Sequence, residues 1–226
     1  MRWDFETGML DVRHLRPMDI LVTGFGPFPR VRVNPTTRLA QAVAARLKRS
    51  GLDAQALVVE TSYGAGLPAL RTHIAERRPK AILMLGLAAR ARNVRVELFA
   101  RGHASPLHPD ATGGTPGAGT GRGRPLPLRT TANAEGALAT LRQRGIRSRL
   151  SPSAGRYLCD ACYAAALTAT QDASTPVLFV HVPWLRPAAG LRPKPRIASF
   201  RPGAETLIRS LAATGAALAR QGRQTR

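Results

Sequence analysis

The sequence predicts an α/β protein: a three-layer α/β/α sandwich around a mostly parallel, mixed sheet, in a single domain. Three observations carry that expectation. Short β-type segments alternate with segments of helical spacing along most of the chain, the pattern of βαβ units stacked on a parallel sheet. Two of the β-type segments, "KAILMLGLA" (80–88) and "PVLFVHVPW" (176–184), are continuous apolar runs, which suits strands buried on both faces. The length of 226 residues, 44% of them hydrophobic and 5% aromatic, suffices for one full core and would crowd two.

The elements follow in order. Residues 1–17, "MRWDFETGMLDVRHLRP", mix acids and bases without an apolar segment. They read as an N-terminal extension, disordered or upstream of a natural start at Met18, and not as a secretory signal. The domain is expected over 18–226. "DILVTGF" (19–25) predicts a strand closing on glycine, and "NPTTRLAQAVAARLKR" (34–49) a helix. Asn34 suits the N-cap of that helix and Pro35 its first turn. A strand over "AQALVVET" (54–61) and a helix over "GLPALRTHIAER" (66–77) precede the apolar strand at 80–88. "NVRVELFA" (93–100) alternates Val94, Val96 and Leu98 with Arg95 and Glu97, so one half-exposed strand is expected. Residues 101–125 are rich in glycine and proline and predict a long, flexible loop. "NAEGALATLRQRG" (133–145) restores helical spacing, with Gly145 as terminator. A short strand over "IRSRLS" (146–151), a helix over "YLCDACYAAALTAT" (157–170) and the strand at 176–184 come next. A stretch rich in proline and arginine (186–202) leads into a last helix, "GAETLIRSLAATGAALAR" (203–220).

The formal net charge is +21, from 34 lysines and arginines against 13 acids, and only Lys48, Lys80 and Lys194 are lysine. Such a charge predicts nonspecific binding of polyanions that weakens with salt. It does not predict nucleic-acid binding as the main function. The arginines are scattered singly and do not form a stripe interleaved with aromatic residues. No run of eighteen apolar residues occurs, so no membrane partner is expected. With two cysteines and no export signal, a disulfide-stapled secreted scaffold is not expected, and the reducing cytoplasm is the default compartment.

Three motifs bear on chemistry. "TGFGPF" (23–28) has glycines after a strand but lacks the third glycine of a dinucleotide fingerprint. Pro27 and Pro29 also remove backbone donors that a pyrophosphate needs. Phe25 and Phe28 instead wall a small apolar pocket or plug the core. "SAGRYLCDACY" (153–163) holds the only cysteines, Cys159 and Cys162, as C-x-x-C. They read as a redox pair, as half a zinc site, or as one nucleophile, Cys159, with a small buried neighbour. A helix start favours a thiolate through the positive end of the dipole. Zinc lacks two further ligands, since His103 and His108 lie in the loop with no second C-x-x-C. A nucleophile needs a base, and His181 stands at the C-terminal end of an apolar strand, where α/β proteins bind ligands. Glu97 and Glu60 both close strands and compete as the orienting acid.

These segments together resemble the pyroglutamyl peptidase I family of cysteine peptidases (type C15). "ILVTGFGPFPRVRVNP" resembles its N-terminal signature, in which T-G-F-x-P-F precedes V-N-P. "SAGRYLCDACY" is similar to its cysteine segment, "FVHVPWLRP" to its histidine segment, and "VRVELFA" stands where its glutamate falls. The match runs from Ile20 to about Pro187. The resemblance implies an α/β/α fold and removal of N-terminal pyroglutamate, or a similar small blocked acyl group, from peptides without metal or cofactor. It implies Cys159 as nucleophile, His181 as general base and then acid, and Glu97 orienting the imidazole. Phe25 and Phe28 match the pair that sandwiches the lactam ring. Asn34, Leu87, Tyr157 and Leu158 match residues around that pocket. A homo-oligomer is also expected, since family members often assemble. Three positions depart from the pattern. Leu87 stands where the family commonly has a glutamine, Leu107 aligns with its usual arginine, and Asp160 replaces an asparagine and sets a negative charge beside the thiol. The alternative from another class is a catalytically weakened member of the fold that binds polyanions.

Overall fold

The computed structural model describes residues 3–4, 9–10, 17–29, 31–101, 105, 107–116, 127–186 and 201–224. Its framework is a six-stranded sheet built on β3 (Ile20–Phe25), β4 (Ala54–Val59), β5 (Ile82–Leu87), β6 (Val94–Glu97), β9 (Ser148–Ser151) and β10 (Val177–Val182). The strand order is β4-β3-β5-β10-β6-β9. Strands β4, β3, β5 and β10 run parallel, β6 runs antiparallel to β10, and β9 runs parallel to β6. The sheet is mostly parallel and mixed, as the apolar runs predict.

Both faces are covered. In β3, Ile20 and Val22 face one core while Leu21 and Phe25 face the other, the two-residue period of a strand. The first core is closed by α1 (Pro35–Arg49), α3 (Ala134–Gln143) and α5 (Ala204–Gln224), through side chains such as Leu39, Leu141 and Leu211. The second is closed by α2 (Gly66–Arg77) and α4 (Leu158–Ala169), through Leu70, Ile74, Leu158 and Tyr163. The result is an α/β/α sandwich with five α-helices among the described residues.

Local sequence explains the element ends. Asn34 caps α1, its Oδ1 accepting from the Thr36 amide at 3.1 Å, with Pro35 in the first turn. Helix α3 stops at Gln143, and Gly145 takes a φ of +74° that most residues would resist. Among the described residues of the expected extension, β1 (Trp3–Asp4) and β2 (Met9–Leu10) pair antiparallel. The expected strand over 93–100 is instead two. After Glu97 the chain turns off the sheet, and β7 (Phe99–Ala100) pairs antiparallel with β8 (Leu128–Arg129). Strand β6 is also less exposed than its alternation suggests, because β10 and β9 flank it, α3 packs against it, and Tyr163 of α4 reaches the Glu97 carbonyl. Residues 187–200 of the expected stretch 186–202, and parts of 101–125, lie outside the described residues.

The described part of the 101–125 region is tied down. Asp110 is buried, and its Oδ2 accepts from the Tyr63 amide at 2.6 Å. Its Oδ1 accepts from the amides of Thr112 and Gly114 and from the Thr112 hydroxyl. Burial alone would raise the carboxyl's pKa, but these donors outweigh it and hold Asp110 below the usual carboxylate range. The Ala111 amide donates to Thr61 O, and Tyr157 Oη to Pro109 O. A loop expected to be flexible is therefore clipped to the end of β4 and to the start of α4.

Candidate functional site

The parallel strands β3, β4, β5 and β10 end on one edge of the sheet, and α4 starts there. His181 is the fifth residue of β10 and Cys159 the second of α4. Cys159 and His181 line the same cavity, and the sulfur is near enough to the imidazole to favour its protonated form. On its other side, His181 Nδ1–H donates to Glu97 Oε1 at 2.9 Å. A carboxylate acceptor fixes the tautomer, which leaves Nε2 for the thiol.

Sheet register explains the acid. Glu97 pairs with Phe179 across the antiparallel β6–β10 seam, and Phe179 and His181 share a face of β10. The carboxylate therefore reaches the imidazole diagonally from one step below it. Glu97 is fully buried and its Oε2 has no hydrogen-bond partner. Its backbone carbonyl accepts from Tyr163 Oη at 3.2 Å. Glu60 lies exposed past the end of β4, so the competition between the two acids resolves to Glu97 as the imidazole's neighbour.

Burial disfavours the imidazolium, but nearby Cys159 and the hydrogen-bonded carboxylate of Glu97 outweigh it. His181 is pushed up to about 9. Between the unperturbed value near 6.5 and that point, the fold holds a proton that free imidazole would release. The resulting histidinium stands against a thiol at a helix N-terminus, where the dipole adds positive field. Tyr157, the N-cap of α4, makes no side-chain cap bond. The Asp160 amide donates to the Tyr157 carbonyl at 3.0 Å, so the amides of Leu158 and Cys159 are the first-turn donors left toward the site.

Beside the thiol lies a cavity of about 150 Å³. Phe25, Phe28, Asn34, Leu87, Tyr157, Leu158, Cys159 and His181 all line it, so the structure brings every sequence-predicted pocket residue together. Glu97 sits behind the imidazole. Phe25 is buried against Phe179, and Phe28 is half-exposed in a tight turn closed by reciprocal bonds with Val31. That turn is held at Gly26, whose carbonyl accepts from Asn34 Nδ2 at 3.0 Å and Thr61 Oγ1 at 3.1 Å. Asn34 therefore spends its amide on the wall as well as on the α1 cap.

A sequence model of the family described as pyroglutamyl peptidase matches residues 18–219. The chain belongs to the pyroglutamyl peptidase family. Among curated relatives, the pyrrolidone-carboxylate peptidase of Gloeobacter violaceus is 31% identical over 74% of this chain and 82% of its own. That of Streptomyces coelicolor is 32% identical over 73% and 77%. The crystal structure of pyrrolidone carboxyl peptidase from Thermus thermophilus superposes with a TM-score of 0.74 at 29% identity, covering 90% of this chain and 99% of that one.

Against the pyroglutamyl peptidase pattern, the three departing residues have different surroundings. Leu87 lines the cavity. Leu107 is 84% exposed and is not among the lining residues. Asp160 is fully buried, and its Oδ1 accepts from the Arg101 amide at 2.9 Å, which ties α4 to the chain after β7. Four wall residues were missed by sequence reasoning: Thr61, Ala154, Gly155 and Arg156. The last three directly precede Tyr157, and adjacency to the cysteine segment was the one signal pointing to them. Cys162 is fully buried in the α2–α4 core, and its thiol is pushed well up by burial and by nearby Cys159. Both cysteines are free. Among the described residues, no group of three or more His, Cys, Asp or Glu is arranged to hold a metal ion, and no helix is long and apolar enough to cross a membrane.

Proposed function

We propose that this protein is a cysteine peptidase that removes pyroglutamate from the N-terminus of peptides, with Cys159, His181 and Glu97 as its triad. The observation that carries the reading is that Cys159 and His181 meet at one small, mainly apolar cavity while buried Glu97 holds the far side of the imidazole by a 2.9 Å hydrogen bond. The Cys159 thiolate attacks the pyroglutamyl carbonyl, and the charge that develops on oxygen finds the amides of Leu158 and Cys159 at the start of α4. Histidinium His181 gives its proton to the leaving amine. It then takes one from the water that clears the acyl-enzyme. Glu97 keeps the imidazole oriented and balances its charge. Phe25 and Phe28 supply apolar walls for the lactam ring, and Asn34, Leu87, Tyr157 and Leu158 complete the slot.

The compartment that goes with this chemistry is a reducing one such as the cytoplasm, where a catalytic thiol stays free. The polyanion-binding alternative has no comparable support, since the cavity beside the thiol is mainly apolar. Hydrolysis of a pyroglutamyl-fluorophore amide tests the proposal. Activity should vanish in Cys159→Ser and after alkylation; activity retained in Cys159→Ser would remove the mechanism.

A further inference from the structure

The cavity is about the room that five water molecules take in the liquid. A five-membered lactam with its carbonyl fills such a space. The residue after the scissile bond then emerges at the rim, because one extended residue spans only about 3.5 Å. Apart from the Cys159–His181 pair, Arg156 is the one side chain among the lining residues that is charged at neutral pH. Its backbone is fixed: Gly155 before it has a φ of +102°, the Ser105 amide donates to its carbonyl at 3.1 Å, and Tyr157 after it caps α4. Its side chain is exposed three residues from the thiol. Two other wall segments each carry an exposed arginine: Arg32, two residues before Asn34, and Arg90, three residues after Leu87. Against these stands Glu60, beside Thr61. Arg156 thus sets a positive side chain at the cavity itself, and a cleft mouth of one sign concentrates ligands of the other.

We infer that the enzyme selects pyroglutamyl peptides whose next residue is acidic, with Arg156 as the specificity-determining side chain. This rests on the peptidase reading above. Three dipeptide amides that differ only in that residue, pyroglutamyl-Glu, pyroglutamyl-Ala and pyroglutamyl-Lys amides, test it, with the freed pyroglutamate measured by chromatography. Their kcat/KM values should rank acidic, neutral, basic. The acidic-to-basic ratio should be about 2- to 30-fold, the span that exposed charge pairs give when attraction is exchanged for repulsion. The ratio should lie mainly in KM, and it should shrink when salt is raised tenfold, which shortens the screening length about threefold. Arg156→Ala should bring the ratio toward one and Arg156→Glu should invert it. If the neutral substrate is cleaved but the ranking is flat, or is indifferent to both variants, the specificity inference falls and the peptidase reading stands. If none of the three is cleaved, both fall.

Discussion

Gly86 lies in β5 directly beside His181 in the parallel register. A Cβ added there would stand 2.8 Å from two atoms of the Phe179 ring and 2.9 Å from His181 Cδ2. Ordinary carbon contacts need about 3.5 Å or more, so the rings must retreat by about 0.7 Å. Phe179 has little room to do so, being fully buried against Phe25, Tyr163 and His181, with ring centroids 6.3, 5.4 and 4.8 Å away. Gly86→Ala should therefore cost about 1–3 kcal/mol of stability as overpacking. That lowers Tm by about 2–4 °C for each kcal/mol in a chain of this size. The imidazole moves as well, and a displacement near 1 Å at a catalytic group costs about 100-fold in rate. The assay is kcat on the pyroglutamyl-fluorophore amide, normalised to titratable thiol, beside a thermal melt. Gly64→Ala serves as control, since nothing lies within 4 Å of its added Cβ. A Gly86→Ala protein with parental Tm and kcat would refute the claim that this glycine clears space for the imidazole.

Two further outcomes follow from the same site. Because His181 is raised to about 9 in the fold, its contribution to stability is fully present below about 6.5 and is lost as pH rises through 9. That contribution is on the order of 3 kcal/mol. Glu97→Gln removes one of its two supports, so the fall of Tm above neutral pH should flatten and the alkaline limb of kcat/KM should move below 9. An unmoved limb would show that the carboxylate does not hold that proton. Asn34→Ala removes the α1 cap, worth about 1 kcal/mol, and one of the two side-chain donors at the Gly26 carbonyl. Thermal melts should show the first loss, and a rise in KM larger than the fall in kcat should show the second.

What was legible in the sequence was whatever short-range chemistry dictates. Asn34 and Pro35 announce the start of α1, the run at 66–77 gives α2 with its observed bounds, and the apolar runs give β5 and β10. Phe25, Phe28, Cys159 and His181 stood out through their motifs. Pairing between distant strands was not legible. Glu97 looks like a solvated strand end because nothing local says that β10 will lie beside it and α4 across its face. Leu98 continues the alternation of β6 on paper, yet the backbone leaves the sheet there to pair Phe99 with Arg129. Asp110 sits in a glycine- and proline-rich stretch whose composition signals mobility. Three of its four acceptor bonds are local, from Thr112 and Gly114, and the fourth, from the Tyr63 amide, becomes visible only once the end of β4 comes within reach.

The reversal of β6 bears on how such a protein can diversify. A strand running with its neighbours would deliver a terminal acid to the open lip of the sheet, wet and within touch of whatever enters. Running the other way, β6 sinks Glu97 into the floor, where ligands never meet it. Acid–base tuning is thereby left to rigid interior groups, while discrimination among substrates falls to surface turns that can be rewritten without disturbing it.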